Sequence, residues 1–215
     1  MSEAADPYYA GRAENYLAHH RKSLRNRLTS EREMAILQLA LEAAGSPSTV
    51  LDAPCGTGRF WPVFERAGVQ KLLAGDYSLS MLRVAQREET SIPSFELAEL
   101  DLLNLDLPDN HVEFIACMRF CHHLACADDR MRVLHRLHAV SRSHVAISLW
   151  VDGNLQSLNR HRKRARPAAP GFGRRICRPV SEVEAEFTRA GFEVSRHWDL
   201  WPRLSMWRTY LLEKR

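Results

Sequence analysis

The sequence predicts an α/β fold: a doubly wound, mostly parallel seven-stranded sheet with helices on both faces and an antiparallel C-terminal strand pair. Three observations predict it. Short runs that are apolar on both sides mark strands covered on both faces. Helical patterns lie between those runs, as crossovers between parallel strands require. Two final β-type runs follow one another with no helix between them, so they pair with each other.

Taken in order, residues 1–29 carry Tyr8, Tyr9, Tyr16, His19 and His20 without a sustained period, and read as an N-terminal helical cap. Residues 30–215 form the domain proper. Ser30-Glu31-Arg32-Glu33 has capping-box spacing and precedes an amphipathic run through Ile36, Leu37, Ala40, Leu41 and Ala44, stopped by Gly45-Ser46-Pro47. Strands are expected at Thr49–Ala53, Lys71–Tyr77, Phe95–Asp101, Val112–Met118 and His144–Val151. Helices are expected near 59–67, 78–89 and 127–141, the last striped by Met131, Leu134 and Leu137. A basic insertion spans about 152–178. Pro179–Gly191 reads as a helix, and Phe192–Leu200 with Trp207–Lys214 as the closing strand pair.

Composition narrows the classes. At 215 residues the chain suits one domain of about 150 residues with extensions better than two. Apolar residues make up 45% and charged residues 26%, with only 10 Gly and 10 Pro, which excludes disordered, collagenous and coiled-coil readings. No apolar run approaches the roughly 20 residues of a membrane span. Met1–Pro7 has neither the basic start nor the apolar core of a signal peptide. Five cysteines, an odd number in a mid-sized chain, argue against a disulfide framework and for a reducing cytoplasm. The net charge of +4 is uneven: residues 151–178 hold eight Lys/Arg against Asp152, a local +7, so the remainder sums to −3. A basic segment on a slightly acidic domain is not a uniformly basic nucleic-acid binder.

The most informative segment is Val50-Leu51-Asp52-Ala53-Pro54-Cys55-Gly56-Thr57-Gly58, a buried strand running into a glycine turn. Glycines there let a ligand approach the backbone closely, though several nucleotide-binding chemistries share that device. Asp52 sharpens the reading, because an acid at the strand end repels a pyrophosphate and attracts a cationic group. Asp76 ends the second strand, where an acid in a βαβ unit accepts ribose hydroxyls. Asp101-Leu102, ending the third, sits where an adenine edge would lie. A cationic end, a ribose and an adenine together describe S-adenosylmethionine.

With those positions the chain resembles the class I S-adenosylmethionine-dependent methyltransferases over about residues 31–151. Two further pieces carry the resemblance. Pro108-Asp109-Asn110-His111-Val112-Glu113-Phe114 is similar to the family's P-D-N-x-F-D approach to its fourth strand, and Arg119-Phe120-Cys121-His122-His123-Leu124 to its L-x-x-H-H-L exit. The pattern is nearest to small-molecule methyltransferases of the ubiquinone/menaquinone-biosynthesis type. The resemblance implies a cofactor set of Asp52, Ala53, Pro54, Cys55, Gly56, Gly58, Asp76, Tyr77, Met81, Asp101, Leu102 and Met118. It departs from the family at Pro54, commonly Gly, and at Glu113, commonly Asp.

Such an enzyme aligns a nucleophile with an already activated methyl, so proximity and orientation dominate and no catalytic triad is required. His122 and His123 follow the fourth strand at the edge where open α/β sheets bind ligands, and are the candidates to orient or deprotonate the acceptor, His122 first. Arg119 beside them, with Tyr8 and Tyr16, would contact an acidic or ring-bearing small molecule. Cys117, Cys121 and Cys126 lack zinc-type spacing, and no metal is expected. Two other readings remain: an RNA or tRNA methyltransferase using the basic segment 160–178, and a non-catalytic partner protein that binds the cofactor. The oligomeric state is not encoded in any motif.

Overall fold

The structure, a computed structural model, describes residues 23–164 and 176–215. Its elements run α1 (Leu24–Ala43), β1 (Thr49–Asp52), α2 (Trp61–Arg66), β2 (Lys71–Asp76), α3 (Leu79–Ala85), β3 (Ser94–Glu99), β4 (Val112–Cys117), α4 (Ala127–Val140), β5 (Ser141–Trp150), α5 (Leu155–Arg164), α6 (Val180–Arg189), β6 (Phe192–Asp199) and β7 (Trp207–Lys214). Single 3-10 turns sit at Leu102–Asn104 and Cys121–His123. The expected seven-stranded sheet is present, in the order β3-β2-β1-β4-β5-β7-β6. β1 to β5 run parallel to one another, and β7 runs antiparallel to both β5 and β6.

Apolar strands buried on both faces make two cores. On one face α1, α2 and α3 press Leu37, Leu41, Trp61, Phe64 and Leu82 against Val50, Leu72 and Phe114. On the other, α4 and α6 press Leu134, Leu137 and Phe187 against Leu51, Ile115, Val145 and Tyr210. The sheet order reverses at β1, whose neighbours β2 and β4 carry the chain to opposite sides. Open α/β sheets bind ligands at the carboxyl ends of strands beside such a reversal.

Several element boundaries differ from the sequence expectations, each for a local reason. The first helix starts at Leu24, not Ser30, and Ser23 caps it by accepting the Asn26 N–H at 3.1 Å. Ser30 and Glu33 lie inside the helix, where Arg59 holds both side chains. β3 ends at Glu99, before Asp101, and is largely exposed, because it forms the edge of the sheet and no strand among the described residues covers its outer side. Asp101 instead caps the following turn, accepting the Leu103 N–H at 2.9 Å. β5 begins three residues before His144, directly from the end of α4.

The basic insertion opens as a helix, α5. Its far end returns to the sheet, where Arg178 bridges to Val151 in parallel and donates its N–H to the Trp150 carbonyl at 3.3 Å. The N-terminal cap with Tyr8 and Tyr16, and the insertion between 165 and 175, lie outside the described residues.

A candidate cofactor and acceptor site at the carboxyl edge of the sheet

The loop after β1 is stitched to the strands on either side of it. The Ala53 N–H donates to the Ala116 carbonyl at 3.1 Å, and the Cys55 N–H to the Gly75 carbonyl at 2.8 Å, with a cis peptide between Ala53 and Pro54. Gly58 has φ +77°, and a β-carbon there would stand 2.9 Å from the Trp61 ring. That backbone accepts only glycine without rearrangement. Gly75 is demanded by contact instead: a β-carbon would come within 2.2 Å of Leu100.

Asp76 sits where β2 ends and acts as the hub of the loop. Its Oδ2 accepts the Gly56 N–H at 2.8 Å and its Oδ1 the Ser78 N–H at 2.9 Å. Burial pushes its pKa up, and those backbone amides pull the other way. Each oxygen keeps a second lone pair, the capacity that a pair of ribose hydroxyls would use.

Asp52 is more unusual. It is fully buried, and neither carboxylate oxygen has a hydrogen-bond partner. Burial holds its pKa well above the ordinary carboxylate range. The Trp61 indole tempers this from outside hydrogen-bond geometry, the nearby Asp76 charge adds to it, and Arg59 offsets it. A buried carboxyl without a donor is costly and rare, and it holds its proton unless a donor or a cation meets it. Thr57 Oγ1 and Trp61 Nε1 are likewise buried and without a hydrogen-bond partner. Beside them a cavity of about 280 Å³ opens between α1 and the glycine loop, lined by Ser30, Met34, Thr57, Gly58, Trp61 and Glu89 among others.

The remaining expected cofactor residues divide. Ala53, Pro54, Cys55 and Gly56 form the loop itself, and burial beside Asp52 raises the Cys55 thiol pKa. Tyr77 is exposed at the carboxyl edge, with Met81 in the first turn of α3. Met118 is buried in the same core cluster as Cys55. Asp101 has both oxygens engaged, by the Leu103 N–H and the Asn104 side chain. Leu102 turns its side chain into the core on the α4 face, so only its backbone remains for a ligand.

The two histidines part company. His122 is buried and stacked on Trp150 at 5.1 Å between ring centres, with Trp207 edge-on at 4.8 Å. Its carbonyl accepts the Ile176 N–H at 2.8 Å, so the returning insertion is pinned to it. His123 faces solvent. Arg119 has φ +60° and donates its N–H to Ser148 Oγ at 2.7 Å. Its guanidinium lies over the Trp207 ring and donates from Nε to Glu33 at 2.8 Å. Arg119 therefore spends its charge on Glu33. Among the cysteines, Cys117 and Cys121 are buried and Cys126 is exposed, and no His/Cys/Asp/Glu group able to hold a metal occurs among the described residues.

Sequence reasoning missed Glu33, Arg59, Thr57, Trp61 and Trp150 as parts of this edge. For Thr57 a signal existed, its place between the two glycines. Glu33 was masked by a capping pattern that the fold does not use.

Comparison with known proteins finds similar chains and a similar fold. Residues 50–144 match a family model described as a methyltransferase domain. A malonyl-(acyl-carrier protein) O-methyltransferase of Pectobacterium atrosepticum is 35% identical over 126 residues, 56% of this chain and 46% of that protein, so the match spans about half the relative's length. The magnesium protoporphyrin IX methyltransferase of Synechocystis, solved with S-adenosylhomocysteine, superposes with a TM-score of 0.76 over 99% of both chains at 15% identity. A chain from the complex of the Haloferax volcanii Trm112 methyltransferase activator with a candidate methyltransferase superposes with a TM-score of 0.62, over 97% of this chain and 94% of that one, also at 15% identity. Among the described residues no helix is long and apolar enough to cross a membrane.

Proposed function

We propose that this chain, whose residues 50–144 match a methyltransferase-domain model and which folds on a seven-stranded scaffold, moves a methyl group from S-adenosylmethionine to an oxygen, nitrogen or carbon nucleophile of a small molecule. The observation that carries the reading is the buried, partnerless Asp52 carboxyl at the end of β1, next to the Asp76 hub. When bound, the cofactor supplies a methyl already activated on a cationic sulfur. Asp52 would face the cationic methionine end, Asp76 the ribose, and the backbone at Asp101-Leu102 the adenine.

What the protein adds is position and dryness. The loop from Ala53 to Gly58 is fixed to β2 and β4 by backbone bonds, so it arrives preformed. Trp150, Trp207 and His122 build an apolar wall at the end of β4 and β5, which suits a ring-bearing acceptor. His122 supports that wall rather than facing solvent, so His123 is the histidine we assign to the acceptor. A proton acceptor is needed only where the nucleophile must lose a proton. Five free cysteines suit a reducing, cytoplasmic setting.

The test is calorimetric titration with S-adenosylhomocysteine, wild type against Asp76→Ala, followed by an acceptor screen that reads homocysteine-product release. Binding weakened more than tenfold in the variant supports the ribose assignment, and unchanged affinity overturns it. Cofactor binding without turnover on any small acceptor would favour the partner-protein reading.

A further inference from the structure

Ten large apolar side chains stand exposed among the described residues, and four of them share one rim. Leu155 and Leu158 project from the first turns of α5, 53% and 56% exposed, and Trp201 and Leu204 from the turn between β6 and β7, 41% and 59% exposed. The two pieces are fastened together: the Leu155 N–H donates to the Arg203 carbonyl at 2.9 Å and the Gln156 N–H to the Leu204 carbonyl at 3.1 Å. Gln156 Oε1 in turn accepts the Met206 N–H at 3.0 Å. The exposed leucines are therefore held in place by the fold and are not a frayed end.

We infer that this rim docks on an anionic lipid surface. Charge supports it. The helix that presents Leu155 and Leu158 continues in sequence through Arg160, Arg162, Lys163 and Arg164, and Arg203 stands exposed in the facing turn. The acids nearby are already used: Asp199 holds Arg208 through both oxygens, at 2.6 and 3.1 Å, and Asp152 accepts the Val180 N–H at 3.3 Å. An apolar stripe, a tryptophan and a dense run of cations on one short helix and its neighbouring turn are the features of an interfacial helix. Exposed leucines at a helix start and a turn tip need no complementary pocket in lipid, whereas a protein partner draws most of its affinity from pockets. Each cation of a polybasic segment adds to its attraction to an anionic leaflet.

The rim lies at the carboxyl edge beside the proposed acceptor wall: the Arg160 guanidinium of the same helix lies over the Trp150 ring, 4.9 Å from its centre. An amphiphilic acceptor dissolved in the interface would thus be delivered beside His122 and Trp207, a consequence that rests on the methyl-transfer reading. The docking itself does not.

The experiment is sedimentation of the full chain with phosphatidylcholine vesicles, with and without phosphatidylglycerol, for wild type and for the double variant Leu158→Ser, Leu204→Ser. Near-ultraviolet circular dichroism and thermal melts verify folding without reference to any cofactor. The expected result is binding to the anionic vesicles, at least tenfold weaker to phosphatidylcholine alone and at least tenfold weaker in a folded double variant. Absence of binding to anionic vesicles overturns the inference. So does equal binding by the folded variant, which would reduce the effect to charge alone. A wild-type dimer that the leucine changes dissociate, or an acidic protein that saturates these residues while vesicles do not, would assign the rim to that occupant and overturn it too. Titration with S-adenosylhomocysteine, run in parallel, separates this outcome from failure of the methyltransferase reading.

Discussion

The Glu33 carboxylate accepts the Arg119 Nε–H at 2.8 Å, tying the N-terminal helix to the residue that leaves β4. Its other oxygen accepts from Arg59 Nη1, also at 2.8 Å, at the end of the glycine loop. One buried carboxylate thus joins the glycine loop to the exit of β4. Glu33→Gln should cost about 2–3 kcal/mol, because two guanidinium groups lose their countercharge. Urea denaturation reads that cost. Cofactor affinity should fall in the same variant, since the loop and the exit of β4 are released together.

Asp52 makes a prediction of opposite sign. Its folded pKa lies above its unfolded one, so the folded state takes up a proton that the unfolded chain has already released. Cofactor-free protein should gain stability from this group as pH falls from the raised value toward the ordinary carboxylate range. Asp52→Asn should remove that slope and stabilise the cofactor-free protein at neutral pH. Binding of a cation needs the charged carboxylate, so wild-type affinity for S-adenosylmethionine should rise with pH, and in the variant it should be weak and flat. Melting curves and calorimetry across pH check both halves.

Gly75→Ala tests close packing at the second strand. The added methyl meets the Leu100 side chain at 2.2 to 2.9 Å, and such overpacking costs about 1–3 kcal/mol. Adding Leu100→Ala should return part of the loss. A single variant as stable as wild type would mean that β2 and the β3 exit separate more easily than the structure indicates.

The insertion is anchored by a second buried acid. Glu186 on α6 receives Arg130 at 2.7 Å and also pairs with Arg178, which lies where the chain returns to the sheet. Burial alone would raise the Glu186 pKa, but the two guanidinium groups pull it below the ordinary range. Its contribution is therefore present above that range and lost as pH falls through the depressed value. Glu186→Gln should destabilise the protein by about 3–5 kcal/mol near neutrality and flatten the acid limb of its stability profile.

The sheet and the glycine loop were legible because their signals are local. Alternating apolar runs fix the strands, and Asp52, Gly56, Gly58 and Asp76 follow one another within one βαβ unit. What escaped depends on distant chain. Glu33 meets partners 26 and 86 residues away, so no spacing rule announces it. His122 reads as a histidine at the ligand edge, and its packing is hidden from the sequence because Trp207 reaches it only when β7 lies beside β5. Boundaries slipped where a side chain had a tertiary partner stronger than its local role, as with Ser30 held by Arg59.

The placement of β7 between β5 and β6 has a kinetic consequence. β6 is made first but has no neighbour to pair with until β7 arrives, and β7 carries Tyr210, Leu211 and Leu212, buried at the middle of that half of the sheet. During synthesis the β3-to-β5 half can assemble as its strands emerge, while the open flank of β5 waits for the latest-made strand. That flank is the exposed edge of a nascent chain, and the interval before β7 docks is when this protein should depend most on chaperones.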